Sequence, residues 1–188
     1  MSYEQRRRFL WILFLAGLVL LAVVANATTF SRMRFEELAK QATAVARVRC
    51  LGAASRWENG EIWTETRFEV VEQNKGHLPN VVTVRMLGGS VGALHSRIDG
   101  VPAFYAGEEA YVFLWNHEGE PFRILGWSQG TFRIAKDART GLETVTQDSA
   151  GAPIFDPRTR QFRHGGVRRL PVAIFQLKLR KALQQEPQ

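Results

Sequence analysis

AVARVRCLGAASRWENGEIWTETRFEV, residues 44–70, decides the fold. Apolar and polar residues alternate on both sides of Asn59-Gly60, and that dipeptide favours a two-residue type I′ hairpin turn, which needs positive φ at both positions. Such a turn pairs Glu58 with Glu61, Trp57 with Ile62 and Leu51 with Phe68. Extended without a break, this register sets Cys50 opposite Glu69, although Val48, Cys50, Phe68 and Val70 all read as core residues. One extra residue restores the phase. The reading therefore predicts a β-bulge near Gly52-Ala53-Ala54, with a bend that curls the sheet.

Outward from this hairpin, strands are predicted at 44–56, 61–73, 80–87, 109–115 and 121–134, separated by Gly, Pro and Asn signals. Gly107–Trp115 is apolar on both faces, with Ala110, Val112 and Leu114 on one side and Tyr111, Phe113 and Trp115 on the other, which predicts a strand covered on both sides. A cover is available. A helix opening at Pro171 and running through about 170–184 presents Val172, Phe175, Leu179 and Ala182 as a stripe, and keeps Lys178, Arg180 and Lys181 in water. Near the other end, Phe35, Leu38, Ala39 and Ala42 mark a short amphipathic helix with Ser31 as its cap. Ile154-Phe155 and Gln161-Phe162 flank a last small hairpin turn at Asp156-Pro157-Arg158. Together these elements predict a mainly β fold: a small Greek-key, OB-like β-barrel with a short N-terminal helix and a C-terminal amphipathic helix, in one domain over 28–188.

The order of elements resembles the netrin-like and tissue-inhibitor-of-metalloproteinase domains, which are OB barrels. The residues carrying the likeness are Ala44-Val45-Ala46-Arg47-Val48, then Phe68 to Gly76 ending in Lys75-Gly76, then Val81 to Thr83, and Gly107 to Leu114, within roughly 43–135. The chain departs from those families in lacking their disulfide cysteines, since Cys50 is its sole cysteine. The resemblance implies a secreted zinc metalloprotease as a partner, its catalytic zinc chelated by the α-amine and adjacent carbonyl of a mature Thr28, the amine's pKa of about 8 permitting deprotonation, with the Thr29 hydroxyl beside it. Nothing in the sequence visibly holds that terminus against the barrel, so it would lose ordering entropy on binding.

Residues 1–27 read as a signal peptide: Arg6-Arg7-Arg8, an apolar run from Phe9 to Ala25, and the small-x-small pattern Ala25-Asn26-Ala27 preceding Thr28. The run is shorter than the roughly 20 residues of a spanning helix. Arg6-Arg7 also fits a loose twin-arginine signal, but the greasy run favours the general secretion route. The expected destination is periplasm or medium. Beyond the signal, residues 28–156 hold 14 Lys/Arg against 16 Asp/Glu, whereas 157–188 hold eight against one. Basic character thus belongs to the tail, and membrane contact is expected only through an uncleaved signal or that tail. An exported chain meets little nucleic acid, so none is expected as a partner. A lone Cys50 allows no internal disulfide, and its place on a strand face with Ala46 and Val48 makes it a packed thiol.

Two stretches match Gly-x-Ser-x-Gly: Gly88-Gly89-Ser90-Val91-Gly92 and Gly126-Trp127-Ser128-Gln129-Gly130. With Asp156 and His164 following in hydrolase order, Ser128 gives an alternative reading as a secreted serine esterase. That chemistry needs a strand turning into a helix whose N-terminus helps to stabilise the oxyanion, and Thr131-Phe132-Arg133-Ile134 alternates like a strand instead. His77, His95, His117 and His164 lack zinc-ligand spacing, so no metal and no cofactor is expected. Trp57 and Trp63 flank the hairpin turn on opposite strand faces, one placed to pack and the other to meet a sugar or a protein. The sequence therefore predicts an exported, non-enzymatic domain that binds a protein or carbohydrate partner of the cell envelope or the medium.

Overall fold

The computed structural model describes residues 31–184. The predicted signal segment, with Ala25 and Ala27, and the expected Thr28-Thr29 terminus lie outside the described residues. Strands β1 (Ala44–Glu58) and β2 (Glu61–Lys75) form the long antiparallel hairpin. Asn59 and Gly60 take φ of 52° and 85°, and Glu58 pairs with Glu61 and Trp57 with Ile62. Cys50 faces Phe68, because the register shifts between Cys50 and Gly52. The extra residue is Leu51, just ahead of the predicted Gly52-Ala53-Ala54, and pairing is regular from Gly52 to Ser55. A second shift, between Arg47 and Val48, leaves Val71 unpaired on β2. Leu51 and Val71 are exposed, whereas Cys50 and Phe68 are buried, as expected when a bulge turns its extra residue away from the core.

Strand β3 (Val81–Leu87) pairs with β2, and a short hairpin follows, β4 (Gly89–Val91) with β5 (Leu94–Ser96). Strand β6 (Glu109–Trp115) lies antiparallel to β1 on its other side, with β7 (Arg123–Ile124) and β8 (Thr131–Lys136) both pairing with β6. The single strand predicted at 121–134 is thus two, divided by a 3-10 turn at Trp127–Gly130. Strand β9 (Glu143–Gln147), which the sequence reading missed, pairs with β8; β10 (Ile154–Asp156) and β11 (Gln161–Arg163) form the expected small hairpin; β12 (Leu170–Pro171) pairs with β9. The main sheet runs β12-β9-β8-β6-β1-β2-β3, with β7 beside β6. These ladders form a large antiparallel sheet and do not by themselves close it into a barrel. Beyond them, Val84 of β3 makes an isolated parallel bridge to Phe122, and the Arg85 N–H donates to the Phe122 carbonyl at 2.8 Å.

Helix α1 (Phe35–Gln41) starts one turn later than a Ser31 cap would place it. Arg34 is its N-cap, and the Glu37 carboxylate accepts the Arg34 N–H at 2.9 Å. Ser31 instead bridges Phe155 of β10, and its carbonyl accepts from the buried Gln129 side chain at 3.0 Å. Helix α2 (Val172–Gln184) buries Phe175, Leu179 and Ala182 as predicted.

Two apolar clusters sit on opposite faces of the sheet. One joins Ala46, Val48, Cys50, Phe68, Val82, Val84, Ala110, Val112 and Leu114. The other joins Tyr111, Phe113, Phe132 and Val145 to Leu38, Ala39 and Ala42 at α1 and to Phe175 and Leu179 of α2. Phe35 meets Phe113, Phe132 and Phe175 edge-on, each at 5.6 Å between ring centres. Truncating the fully buried Phe175 opens a cavity in this cluster, whereas Leu177 on the same helix is 55% exposed. Phe175→Ala is expected to cost about 3–5 kcal/mol by urea unfolding, and Leu177→Ala within about 1 kcal/mol. Similar costs for the two would show that α2 is not docked as described.

Candidate functional site

The inner face of the hairpin changes character along its length. Below the Leu51 bulge it carries Val48 and Cys50 against Phe68 and Val82, all buried in the first cluster. Above it the paired positions become Ala53 with Thr66 and Ser55 with Thr64. These side chains are too small to fill the space that the larger ones fill below, and a cleft of about 750 Å³ opens over them. Met86 of β3 and Ile98, Val101, Pro102 and Phe104 of the following segment supply its apolar walls.

The hydroxyls of the floor form a directed chain. The Ser90 N–H donates to Ser55 Oγ at 3.3 Å, Ser55 and Thr64 hydroxyls meet at 2.8 Å, and Thr64 Oγ1 donates to the Gly88 carbonyl at 2.6 Å. Since the Thr64 proton goes to Gly88, Ser55 is the donor to Thr64. Gly89 lies so close that a Cβ there would run into both hydroxyls. The first Gly-x-Ser-x-Gly match is therefore a close backbone approach to the cleft floor. Thr66 stands apart from this chain: it is 0% exposed and borders the cleft, yet its hydroxyl has no hydrogen-bond partner among the described residues.

Segment 97–105 is held over the floor chiefly by Arg133 of β8. Its Nη2 donates to the Ala103 carbonyl at 2.6 Å, its guanidinium lies 4.6 Å from the Phe104 ring centre, and its other nitrogens bind Asp148 at 2.8 Å and Glu108 at 2.7 Å. Burial pushes the Asp148 carboxyl above its ordinary value, and the Arg133 hydrogen bonds offset this only in part. Phe104 also packs edge-on against Phe68 at 4.9 Å, so the segment is bedded on the sheet core. Arg97, at the mouth, is exposed and has no ion pair among the described residues.

Of the residues singled out from the sequence, Ser128 lines this cleft, and its N–H donates to the Gly100 carbonyl at 2.8 Å. Asp156 lies on the β10–β11 hairpin, where its carboxylate accepts the Arg158 N–H at 3.0 Å and faces Arg32 at 3.9 Å. His164 is exposed, and no hydrogen bond links it to Ser128 or Asp156. The residues after Ser128 form strand β8, as the alternation predicted, so the helix that a nucleophile turn needs does not follow it. Trp63 is half-buried beneath Arg85, 4.4 Å from its ring centre, while Trp57 is 55% exposed and shares its strand parity with Ala53 and Ser55. Cys50 is buried, and burial raises its thiol pKa, which makes it a poor nucleophile. No cluster of three or more His, Cys, Asp or Glu suited to a metal occurs among the described residues.

The sequence reading missed the pair formed by Ser90 and His95, which face each other across the β4–β5 hairpin with Oγ and Nδ1 2.8 Å apart. Among the described residues no carboxylate is hydrogen-bonded to His95, and the Ser90 N–H is already engaged with Ser55. The pair is thus a polar rim rather than an assembled nucleophile and base. Ser55, Thr64 and Thr66 were missed as well. Their signal was small hydroxyl residues at core-facing parity after the bulge.

Comparison with family models, curated proteins and solved structures finds no match to this chain.

Arg133→Gln is expected to cost about 2–3 kcal/mol, because Asp148 loses its counterion and the Ala103 carbonyl its donor. Amides in 97–105 should then exchange with deuterium faster than those of β6. Unchanged exchange there would show that Arg133 does not hold the cleft wall.

Proposed function

We propose that the chain is an exported, non-enzymatic binding domain of OB-like, Greek-key barrel architecture, and that it receives a segment of a protein partner in the cleft above Thr66. The unfilled hairpin face carries this reading: a large concave site with apolar walls and a few polar groups is the usual form of a binding pocket. The parallel bridge between Val84 and Phe122 supports the barrel, since it continues the order β6-β1-β2-β3 through β7 back to β6. That circuit also agrees with the netrin-like resemblance of residues 43–135. The site lies on the β2–β3 side and near the hairpin ends, where OB barrels bind their ligands.

A protein segment is favoured over a carbohydrate by the lining. Among the described residues no Asn, Gln or Glu lines the cleft, and the one carboxylate there, Asp148, is paired with Arg133. Sugar hydroxyls are therefore offered no amide and no unpaired carboxylate, whereas apolar side chains find Met86, Ile98, Val101 and Phe104. The non-enzymatic part rests on the different partners of Ser128 and Asp156, which bond Gly100 and Arg158, and on the Ser90–His95 pair, which has no carboxylate partner among the described residues. The metalloprotease reading depends on Thr28 and Thr29.

The test is site-directed photo-crosslinking in cells, with a benzophenone amino acid at Ile98 in the cleft or at Lys136, the exposed last residue of β8 outside the cleft, joined to N-terminal sequencing of the recovered chain. A discrete adduct from Ile98 alone, on a chain beginning at Thr28, is the expected result. Equal adducts from both positions, or a chain retaining Met1, would contradict the proposal.

A further inference from the structure

We infer that the segment received by the cleft pairs an apolar side chain with a nearby carboxylate, which Arg97 binds at the mouth. This rests on the cleft being the binding site, as proposed above, and adds the chemistry of the occupant. Its first support is charge. Asp148 is neutralised by Arg133, which also holds Glu108, so the cleft presents no unpaired anion. Arg97 is its uncompensated cation, and a guanidinium binds a carboxylate through two parallel hydrogen bonds. A cationic occupant would meet repulsion there and no compensating group.

The second support is the Thr66 hydroxyl. A buried polar group without a partner is uncommon, and this one belongs to a residue that borders the cleft while its oxygen lies just beneath the cleft surface. An incoming segment that displaces the thin cover over Thr66 would bring a backbone N–H or C=O to this hydroxyl, which ties recognition to a peptide and not to an apolar molecule alone. The third is shape. About 750 Å³ is within the range of sites that enclose a drug-sized group, enough for an anchoring side chain and its neighbours. Met86, Val101 and Phe104 give that anchor an apolar socket, and the Ser90, Ser96 and Ser128 hydroxyls line the same cleft.

The experiment is selection from a random heptapeptide library on the chain beginning at Thr28, on Arg97→Glu, and on Ala53→Trp, which fills the cleft from an exposed position. Wild-type selection is expected to enrich peptides with an apolar residue within two positions of Asp or Glu. Arg97→Glu should enrich Lys or Arg instead, and Arg97→Gln should weaken the acidic peptides about five- to tenfold. Thr66→Val should raise the melting temperature of the free protein and yet weaken the same peptides. Peptides blocked by Ala53→Trp but indifferent to the charge at position 97 would overturn the inference and leave the cleft as the site. Peptides that bind Ala53→Trp as well as wild type, or no enrichment at all, would remove both.

Discussion

Strand β6 has no free face. Ala110, Val112 and Leu114 enter one apolar cluster, Tyr111 and Phe113 enter the other, and all five are at most 1% exposed. Burying side chains of the larger sizes contributes about 1.5–3 kcal/mol each, so this strand commits the chain to a layer on either side of it. On one side the layer includes Phe68 of the hairpin and Val82 and Val84 of β3. On the other it is the pair of short helices. Neither helix would be stable alone at seven or thirteen residues, and both are held by aromatic contacts, Phe35 with Phe113 and Phe132, and Phe175 with Tyr111 and Phe132.

The same constraint produces the cleft. Strand β6 faces β1 only from Ala44 to Arg49, so the part of the hairpin beyond Cys50 extends past its support. Large side chains there would expose apolar surface. The chain instead places Ala53, Ser55, Thr64 and Thr66 on the inner face, and folds segment 97–105 across them with Arg133 as the tie. A recess follows from a sheet longer than its core. Its polar floor is satisfied within itself except at Thr66, and its charges cancel except at Arg97.

Much of this was readable from residue order alone. The turn at Asn59-Gly60 sets a register in which Cys50 falls out of phase, and the need for a bulge follows from that contradiction without any structure. The two-faced pattern of 109–115 and the stripe of α2 were equally plain, because parity and helical period act locally. What escaped was non-local. The 3-10 turn at Trp127–Gly130 divides a run that alternates well enough for one strand, and β9 shows its place only once β8 is there to pair with it. The cleft escaped because hydroxyl residues at core-facing positions look like ordinary strand residues until the missing volume around them is seen. Ser128 and Asp156 are near in residue order and hold different surroundings, which spacing alone does not reveal.

If β6 is the support on which the rest depends, protection from hydrogen exchange should divide the long hairpin in two. Native-state exchange of the protein in mild denaturant measures this residue by residue. Amides of Val45–Cys50 and Ala110–Leu114 should exchange only through global unfolding, while those of Ala53–Trp57, Ile62–Thr66 and 97–105 open through a separate event of lower free energy. Uniform protection along the whole of β1 and β2, with no lower-energy opening at the cleft, would contradict the account.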